Sequence, residues 1–386
     1  MSNSGTVNNY LTLAVAGARK TQGLVEHCKA LPVDRKVLLI TFTQTNQVEL
    51  RERVRRYVGD RPSLEVSGWF SFLLRHFVKP FVPFAFPGKR CRGFNYKGEP
   101  HRNAWGKDRF FDSGDSAYAK EMARLAYELI GKSGGALIHR LECLYDEILI
   151  DEVQDLSGYD LHILQALFGT RIEIRLVGDV RQAVLSTNPR GQMNKAFAYS
   201  KSHEWFKKQQ KARRLEIDYS SVTWRCCQSI ATFSDTIFDA SWEFPETTSE
   251  NHATTAHDGV FLVRKEHVGL YVEAFQPQCL RDSIKSGKEF ELNYMNFGVS
   301  KGQTFNRVLI YPTGPIGKFI SKGEALKPLS AADFYVAVTR AEQSVAIVLD
   351  KPGASILPYW TPEVGQSPSG GGELNDEQAL QAKGIA

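Results

Sequence analysis

Short apolar runs alternate with amphipathic, charge-rich stretches along the first half of the chain. The apolar runs predict buried strands at residues 11–16, 37–42, 147–150 and 172–177. Apolar positions at helical spacing predict helices over residues 20–30 and 47–58. Strands that are apolar on both faces and alternate with helices are typical of a parallel α/β sheet.

A second series of the same kind begins near Leu215. Its apolar runs lie at residues 260–263, 307–311 and 345–349, and a helix is predicted over residues 332–338. This series predicts a second α/β unit. The chain is therefore expected to consist of a first domain over residues 1–74 and 141–214, an inserted subdomain over 75–140, a second domain over 215–350, and a flexible tail over 351–386.

Basic and aromatic residues are concentrated in the insertion. Residues 75–109 carry nine Lys or Arg against two acidic residues, together with seven aromatic residues. Residues 190–214 carry eight Lys or Arg against one Glu. This composition suits a track for the phosphates of a nucleic acid, although the aromatic residues could equally form the core of the insertion.

The overall composition excludes several classes of protein. With 42% hydrophobic and 24% charged residues, the chain is expected to be globular rather than disordered. No apolar stretch approaches the roughly 18 residues that span a bilayer, and the polar N-terminus lacks the basic start of a secretory signal. The six cysteines form no CxxC pair, which favours reduced thiols and a cytoplasmic location without a membrane.

A short loop, residues 16–21, follows the first predicted strand and opens the first predicted helix. Its members are Ala16, Gly17, Ala18, Arg19, Lys20 and Thr21. In such a position backbone N–H groups can cradle phosphate oxygens, while Lys20 reaches the outer phosphates and Thr21 offers a hydroxyl to Mg²⁺. Ala14 and Arg19 stand where the GxxxxGK[ST] pattern has glycine, so an ordinary strand-to-helix turn is the alternative.

Acidic residues cluster where another apolar strand ends, in the sequence DEVQD at residues 151–155. Ligands of parallel sheets gather at that edge. Asp151 could hold Mg²⁺, and Glu152 could orient and deprotonate an attacking water. The alternative is an acidic turn in a solvated loop.

Seven segments in a fixed order resemble the motifs of UvrD/Rep-like superfamily 1 helicases. They are ITFT (40–43), VSGWFS (66–71), IDEVQ (150–154), VGDVRQ (177–182), TWR (223–225), SKG (300–302) and YVAVTRA (335–341). One such match arises easily by chance, whereas seven in order do not. The resemblance implies two RecA-like, P-loop NTPase domains with the basic insertion in the first.

The resemblance also implies that ATP and Mg²⁺ bind between the two domains. Gln182 would sense the γ-phosphate or the attacking water, and Arg225 and Arg340 would serve as arginine fingers. Trp224 would stack on adenine, and Gly302 would lie beside the nucleotide. A surface ion pair for either arginine, and a core position for Trp224, are the alternatives.

A single strand of DNA would cross both domains, with RNA not excluded. The residues at positions that touch nucleic acid in the family are Phe42, Thr43, Trp69, Ser300 and Lys301. Aromatic stacking and backbone charge are the usual means of binding a single strand without reading its sequence.

Two departures from the family pattern affect the nucleotide. Arg19 replaces a glycine of the phosphate loop, and we expect it to contact phosphate or a neighbouring carboxylate. Gln22 replaces an arginine that commonly flanks adenine, which weakens the expectation of adenine specificity. In addition, the 71 residues 226–296 cannot hold the large second accessory subdomain of UvrD-type enzymes.

Three functions compete. The first is an ATP-driven translocase or helicase on single-stranded DNA, moving 3′ to 5′ by resemblance. The second is an ATPase switch that senses DNA and licenses a partner protein such as a nuclease, as in Gabija-type bacterial defence systems or in repair. The third is a degenerate nucleic-acid binder without hydrolysis, which the retention of Lys20, Asp151, Glu152, Gln182, Arg225 and Arg340 disfavours.

Overall fold

The computed structural model describes residues 8–185, 187 and 193–362. Two parallel β-sheets flanked by helices dominate these residues, which confirms the predicted α/β class. None of the described helices has the length and apolar character that crossing a membrane requires. All six cysteines are unpaired thiols, as predicted.

The first unit contains a six-stranded sheet and the insertion. Its strands are β1 (Asn9–Ala14), β2 (Val37–Thr41), β3 (Leu64–Gly68), β4 (Gly93–Asn95), β5 (Ser116–Tyr118), β6 (Glu147–Ile150), β7 (Glu173–Gly178) and β8 (Glu216–Ser220). Its helices are α1 (Lys20–Ala30), α2 (Gln44–Tyr57), α3 (Trp69–Phe72), α4 (Lys79–Ala85), α5 (Met122–Lys132), α6 (Ala136–Leu144), α7 (Tyr159–Leu167) and α8 (Ser202–Lys211). The strand order is β3-β2-β6-β7-β1-β8, while β4 and β5 pair with each other in the insertion.

Strand β8 is part of the first sheet, although the sequence assigns it to the second domain. It pairs in parallel with β1, and Leu11 lies opposite Ile217. The first unit therefore extends to Ser220 instead of ending at residue 214. Of the five residues of β8 only Ile217 is buried, because the strand lies at the edge of the sheet, and its apolar signal is correspondingly weak.

The second unit contains a five-stranded sheet. Its strands are β9 (Val222–Thr223), β10 (Thr248–Ser249), β11 (Gly259–Val263), β12 (Gln278–Arg281), β13 (Tyr294–Asn296), β14 (Phe305–Tyr311) and β15 (Ala341–Val348). Its helices are α9 (Gln228–Asp235), α10 (Val268–Phe275), α11 (Gly314–Lys322) and α12 (Pro328–Val338). The sheet order is β11-β15-β14-β12-β13, and β9 pairs separately with β10.

The insertion shares one hydrophobic core with the first sheet. Helix α3, a π-helical stretch at Leu73–Val78 and helix α4 follow one another without a break. Phe77 and Phe110 are buried in the same cluster as Leu11 of β1. Four aromatic residues of the insertion are thus core, namely Phe77, Phe81, Phe110 and Phe111, whereas Phe84, Tyr96 and Trp105 remain 56%, 58% and 85% exposed.

The start of the predicted flexible tail is ordered against the second sheet. Leu262 donates its backbone N–H to Pro358 O at 2.8 Å and accepts from Trp360 N at 2.9 Å. Residues 351–362 therefore belong to the second unit, which corrects the boundary at residue 350. The remainder of the predicted tail, from residue 363, lies outside the described residues.

Candidate nucleotide site

A cleft of about 680 Å³ lies between the two units. The first unit contributes loops that follow β1, β6 and β7, at the carboxyl edge where parallel sheets bind ligands. The second unit contributes residues just before β14 and β15 and just after β9. Predicted site residues that line the cleft are Gly17, Ala18, Arg19, Lys20, Thr21, Thr43, Asp151, Glu152, Gln182, Trp224, Arg225, Lys301, Gly302 and Arg340.

The phosphate loop is in direct contact with the second unit. Thr223 Oγ1 donates to Ala16 O at 2.7 Å, and Trp224 N donates to Gly17 O at 3.1 Å. Gly17 has φ +78°, and a Cβ there would lie 2.6 Å from both Arg225 Cβ and Thr223 Oγ1. Glycine is required at this position both for the left-handed backbone and for the close approach of the segment 223–225.

Lys20 and Thr21 lie at the start of α1, on the floor of the cleft. Lys20 Nζ donates to Val15 O at 3.1 Å, and burial lowers its pKa although Asp179 and the Asp151–Glu152 pair oppose the shift. Thr21 Oγ1 donates to Asp151 Oδ2 at 2.8 Å. A hydroxyl and a carboxylate oxygen so close together suit Mg²⁺, which takes oxygen ligands.

Asp151 and Glu152 follow β6, and their environments push their pKa values in opposite directions. Burial, aided by the neighbouring Glu152, raises the pKa of Asp151. Burial acts the same way on Glu152, but the ammonium groups of Lys301 and Lys20 outweigh it and lower the pKa of Glu152. Glu152 also has φ 56°, a left-handed conformation that is uncommon for a residue with a side chain and typical of functional sites.

Lys301 crosses the cleft and joins the two units. Its Nζ lies 3.0 Å from Glu152 Oε2 and 2.8 Å from Asp155 Oδ2. These two carboxylates raise the pKa of Lys301 although burial opposes them. The sequence assigns Lys301 to the nucleic-acid surface, whereas the structure places it in the cleft between the units. Asp155 is a site residue that sequence reasoning missed, although it ends the DEVQD segment.

Arg340 and Gln182 make a second contact between the units. Arg340 Nη2 donates to Gln182 Oε1 at 3.1 Å, and Gln182 Nε2 donates to Asp179 Oδ2 at 2.8 Å. Arg340 is 1% exposed, and burial together with the nearby Arg225 lowers its pKa. Arg225 Nη1 donates to Thr339 O at 3.1 Å, and among the described residues neither Arg225 nor Arg340 forms an ion pair with a carboxylate.

Tyr335 of the second unit also contacts the first unit, and sequence reasoning did not assign it to the site. Its hydroxyl accepts from Ala16 N at 3.2 Å and donates to Asp179 Oδ2 at 3.3 Å. The guanidinium of Arg181 lies 4.7 Å from the centroid of the Tyr335 ring. The signal was available, since Tyr335 opens the YVAVTRA segment and Arg181 lies within VGDVRQ.

Arg19 contacts Trp224, and among the described residues it makes no ion pair with a neighbouring carboxylate, so the expected contact with phosphate stays a prediction. Its Cζ lies 3.9 Å from the centroid of the indole ring, within range of a cation–π interaction. Trp224 is 45% exposed, which contradicts a core position for this residue. Arg19 has φ 56° at the N-terminus of α1, so this position has the left-handed backbone that glycine favours although its residue is an arginine.

Two of the residues predicted to touch nucleic acid are inaccessible. Trp69 is 1% exposed, and its Nε1 donates to Asp160 Oδ1 at 2.7 Å in the core. Ser300 is fully buried, and its hydroxyl donates to Phe297 O at 2.7 Å. Both expectations are wrong, because these positions hold polar contacts inside the units.

The two remaining predicted residues occupy different places. Thr43 lines the nucleotide cleft and caps α2, accepting from Asn46 N at 3.1 Å. Phe42 is half-buried beside Phe70, with ring centroids 5.9 Å apart. Phe70 in turn contacts Phe94 and Tyr96, each at 6.4 Å. Phe42 thus begins an aromatic row that reaches into the insertion.

Residues 116–187, which include Asp151, Glu152 and Gln182, match the UvrD/REP helicase N-terminal domain family. The fold is also similar to the crystal structure of Arterivirus nonstructural protein 10 (helicase), with 15% identity, 89% of this chain and 60% of that chain covered, and a TM-score of 0.44. Its complex with DNA shows the same identity and coverage with a TM-score of 0.43. This chain spans about 60% of the length of those structures. No curated protein sequence matches the chain.

The family match covers a continuous segment that includes Asp151 and Glu152, so the resemblance in this segment is not limited to short motifs. Residues 116–187 thus resemble a helicase N-terminal domain, and the cleft between the two parallel sheets lies beside this segment.

Proposed function

We propose that the protein is an ATP-driven translocase or helicase that moves along single-stranded DNA in the 3′ to 5′ direction. One observation carries the proposal: the pair Asp151 and Glu152 of the first unit faces Arg225 and Arg340 of the second across one cleft. Because the groups come from two units, nucleotide hydrolysis and release change the contact between the units. The polarity rests on the resemblance to UvrD/Rep-like helicases.

Glu152 is the general base in this proposal. Burial opposes ionisation, but Lys301 and Lys20 keep the pKa of Glu152 low enough for its carboxylate to orient and activate water at neutral pH. Lys20 leaves the carbonyl of Val15 to reach the phosphate oxygens. Thr21 Oγ1 and Asp151 Oδ2 would hold Mg²⁺, which neutralises phosphate charge when bound.

The second unit stabilises the charge that develops on the transferred phosphoryl group. Arg340 is a buried cation in contact with Gln182, and Arg225 is half-buried in the same cleft. A desolvated cation acts more strongly than one in water. Gln182 donates its side-chain N–H to Asp179, so the side-chain oxygen of Gln182 can accept from Arg340 or from the attacking water. This arrangement makes hydrolysis depend on the closed contact between the units.

The aromatic row is the proposed surface for the nucleic acid. Phe42, Phe70, Phe94 and Tyr96 follow one another at centroid distances of 5.1–6.4 Å, and Tyr96 is 58% exposed. Phe42, Phe70 and Phe94 are partly buried against the core, so Tyr96 is the ring of this row that can stack on a base, and such stacking contributes about 1–3 kcal/mol per base. The exposed lysines and arginines of the insertion supply charge for the phosphates.

Two assays test the proposal. ATP hydrolysis is measured alone, with single-stranded DNA and with single-stranded RNA of the same sequence, and we expect DNA to stimulate it several-fold. Displacement of streptavidin from oligonucleotides biotinylated at the 3′ or the 5′ end then reports direction, and only the 5′ block should be cleared. Stimulated hydrolysis without displacement at either end would reject translocation.

A second candidate function is an ATPase switch that senses DNA and licenses a partner such as a nuclease. The observation in its favour is that residues 226–296 are used by elements of the second unit, from α9 to β13. No stretch there is left for the second accessory subdomain that supports processive unwinding in UvrD-type enzymes. This candidate predicts that DNA stimulates hydrolysis without displacing streptavidin at either end. It also predicts a co-purifying protein, such as a nuclease, whose activity depends on that hydrolysis.

A further inference from the structure

The phosphate loop of the first unit begins with a residue that is anchored in the second unit. Ala16 is 2% exposed and belongs to the same hydrophobic cluster as Val345 of β15. Both polar groups of its backbone are bonded across the units. Its N–H donates to the hydroxyl of Tyr335 at 3.2 Å, and its carbonyl accepts from Thr223 Oγ1 at 2.7 Å. The position of the loop therefore depends on the second unit.

The hydroxyl of Tyr335 makes a further contact with the first unit through its own proton. It donates to Asp179 Oδ2 at 3.3 Å, and the same carboxylate oxygen accepts from Gln182 Nε2 at 2.8 Å. Burial raises the pKa of Tyr335, so the phenol keeps the proton that this donation needs. Asp179 is also the strongest of the carboxylates that oppose the lowering of the pKa of Lys20 by burial. One phenol thus contacts both the loop and the carboxylate that supports Gln182.

The ring of Tyr335 is held firmly by its neighbours. Tyr335 is 1% exposed in helix α12, and the ring of Phe238 packs against it at a centroid distance of 5.7 Å. Arg181, whose guanidinium lies over the same ring, donates through Nη1 to Asp235 Oδ1 of α9 at 2.9 Å. A phenol packed in this way has little freedom to turn, so its hydroxyl fixes the distance between α12 and the loop.

We propose that Tyr335 is a positioning residue for nucleotide hydrolysis, whose hydroxyl holds the phosphate loop and the Asp179–Gln182 pair in place for the triphosphate. This inference rests on the proposed function, since it concerns the nucleotide of the same cleft. Separation of the units removes the anchor of Ala16 and the donor to Asp179 together. Tight binding and hydrolysis of the triphosphate therefore require the contact between the units, because small displacements of reacting groups lower the rate steeply.

The variant Y335F tests the proposal, since it removes the hydroxyl and keeps the packed ring. Basal hydrolysis is measured without nucleic acid, and binding of ATP and of inorganic tripolyphosphate is measured in the E152Q background. We expect kcat to fall about tenfold, because Gln182 loses support. The Kd values of both ligands should rise by about the same factor, roughly fivefold, because the loop contacts the phosphates that they share.

The matched control is Y271F, which removes another buried hydroxyl of the second unit. Tyr271 is 0% exposed, its hydroxyl lies 3.0 Å from His257 Nε2, and it does not line the cleft. Y271F should lose stability to a similar degree as Y335F and keep kcat and both Kd values within about twofold of wild type. If Y335F also keeps wild-type kcat and Kd values, its hydroxyl only stabilises the fold and the inference is overturned.

A double-mutant cycle with Q182A tests whether Tyr335 acts through Asp179 on Gln182. If it does, Y335F should lower kcat by no more than about twofold once Gln182 is alanine, because the two residues then share one effect. Full multiplication of the two losses would overturn this route. A failure of the proposed function looks different: DNA then does not stimulate hydrolysis in the wild type, while the effect of Y335F on basal hydrolysis remains.

Discussion

The ammonium group of Lys301 lies 3.0 Å from the carboxylate of Glu152, although the two residues belong to different units. The same ammonium lies 2.8 Å from Asp155, which is buried. This triad is at once a contact between the units and a major electrostatic influence on the proposed base. The protonation of Glu152 is therefore coupled to whether the two units are closed.

Replacing Lys301 by alanine should shift the pH dependence of hydrolysis. Burial alone raises the pKa of Glu152, and Lys301 is the first of the groups that lower it. Without that charge the pKa of Glu152 rises, so the acid limb of the kcat–pH profile moves to higher pH. K301R retains the charge and should keep the limb near its wild-type position. An unchanged limb in K301A would show that Glu152 does not titrate in the rate-limiting step.

The same substitution should also destabilise the protein. Removing one partner of a buried ion pair leaves the Asp155 carboxylate uncompensated, which typically costs about 3–5 kcal/mol. The double variant K301M/D155N removes both charges and should recover part of that loss. Thermal or urea unfolding measures the difference. Equal stability of K301A and the double variant would show that Asp155 is compensated by other groups.

Glu152→Gln should retain ATP binding and lose nearly all turnover. The amide cannot accept a proton from water, whereas the Thr21–Asp151 pair proposed to hold Mg²⁺ is untouched. Steady-state hydrolysis and nucleotide affinity measured on one preparation check this. The matched control is E128Q, whose carboxylate pairs with Arg124 in the insertion. Turnover of E152Q within a few-fold of wild type would reject Glu152 as the base.

Arg340→Ala and Arg225→Ala should each lower kcat by about 10³-fold with little change in nucleotide affinity. The charge that these arginines stabilise develops in the transition state, so its loss affects the rate more than ground-state binding. For Arg340 the loss of the 3.1 Å contact to Gln182 adds to the effect. Single-turnover kinetics separates the chemical step from release. A rise in KM at constant kcat would instead assign the arginine to binding the substrate.

Trp69→Phe should affect stability without affecting nucleic-acid binding. It removes the 2.7 Å hydrogen bond to Asp160, a buried carboxyl whose pKa burial raises to about 6. Losing that donor from a buried acceptor costs about 1–3 kcal/mol in unfolding free energy. Affinity for single-stranded DNA should stay within about twofold. Y96A, at the exposed end of the aromatic row, is the contrasting variant and should weaken DNA binding by tenfold or more.

The sequence was most informative where a segment's structure depends on its own residues. The helix α1 and the strand β6 have the bounds that the apolar pattern predicts, because both are buried by their own sheet. Strand β8 was assigned to the wrong unit because one buried residue in five carries too little signal. Motif residues such as Lys20, Glu152 and Gln182 meet at one cleft because the loops after parallel strands meet at one edge.

Spacing along the chain does not reveal which side chains meet across the two units. Lys301 follows a buried Ser300 in one motif, and only the packing of the second sheet against the first turns it toward Glu152. Trp69 lies in a motif associated with nucleic acid, yet a hydrogen bond to Asp160 holds it in the core. The sequence alone determined the fold class, the order of the motifs and the chemistry available to the cleft. The tertiary structure decided the partners of Trp69, Lys301 and Arg340, because those partners lie more than 90 positions away in the chain and are set by how complete sheets pack.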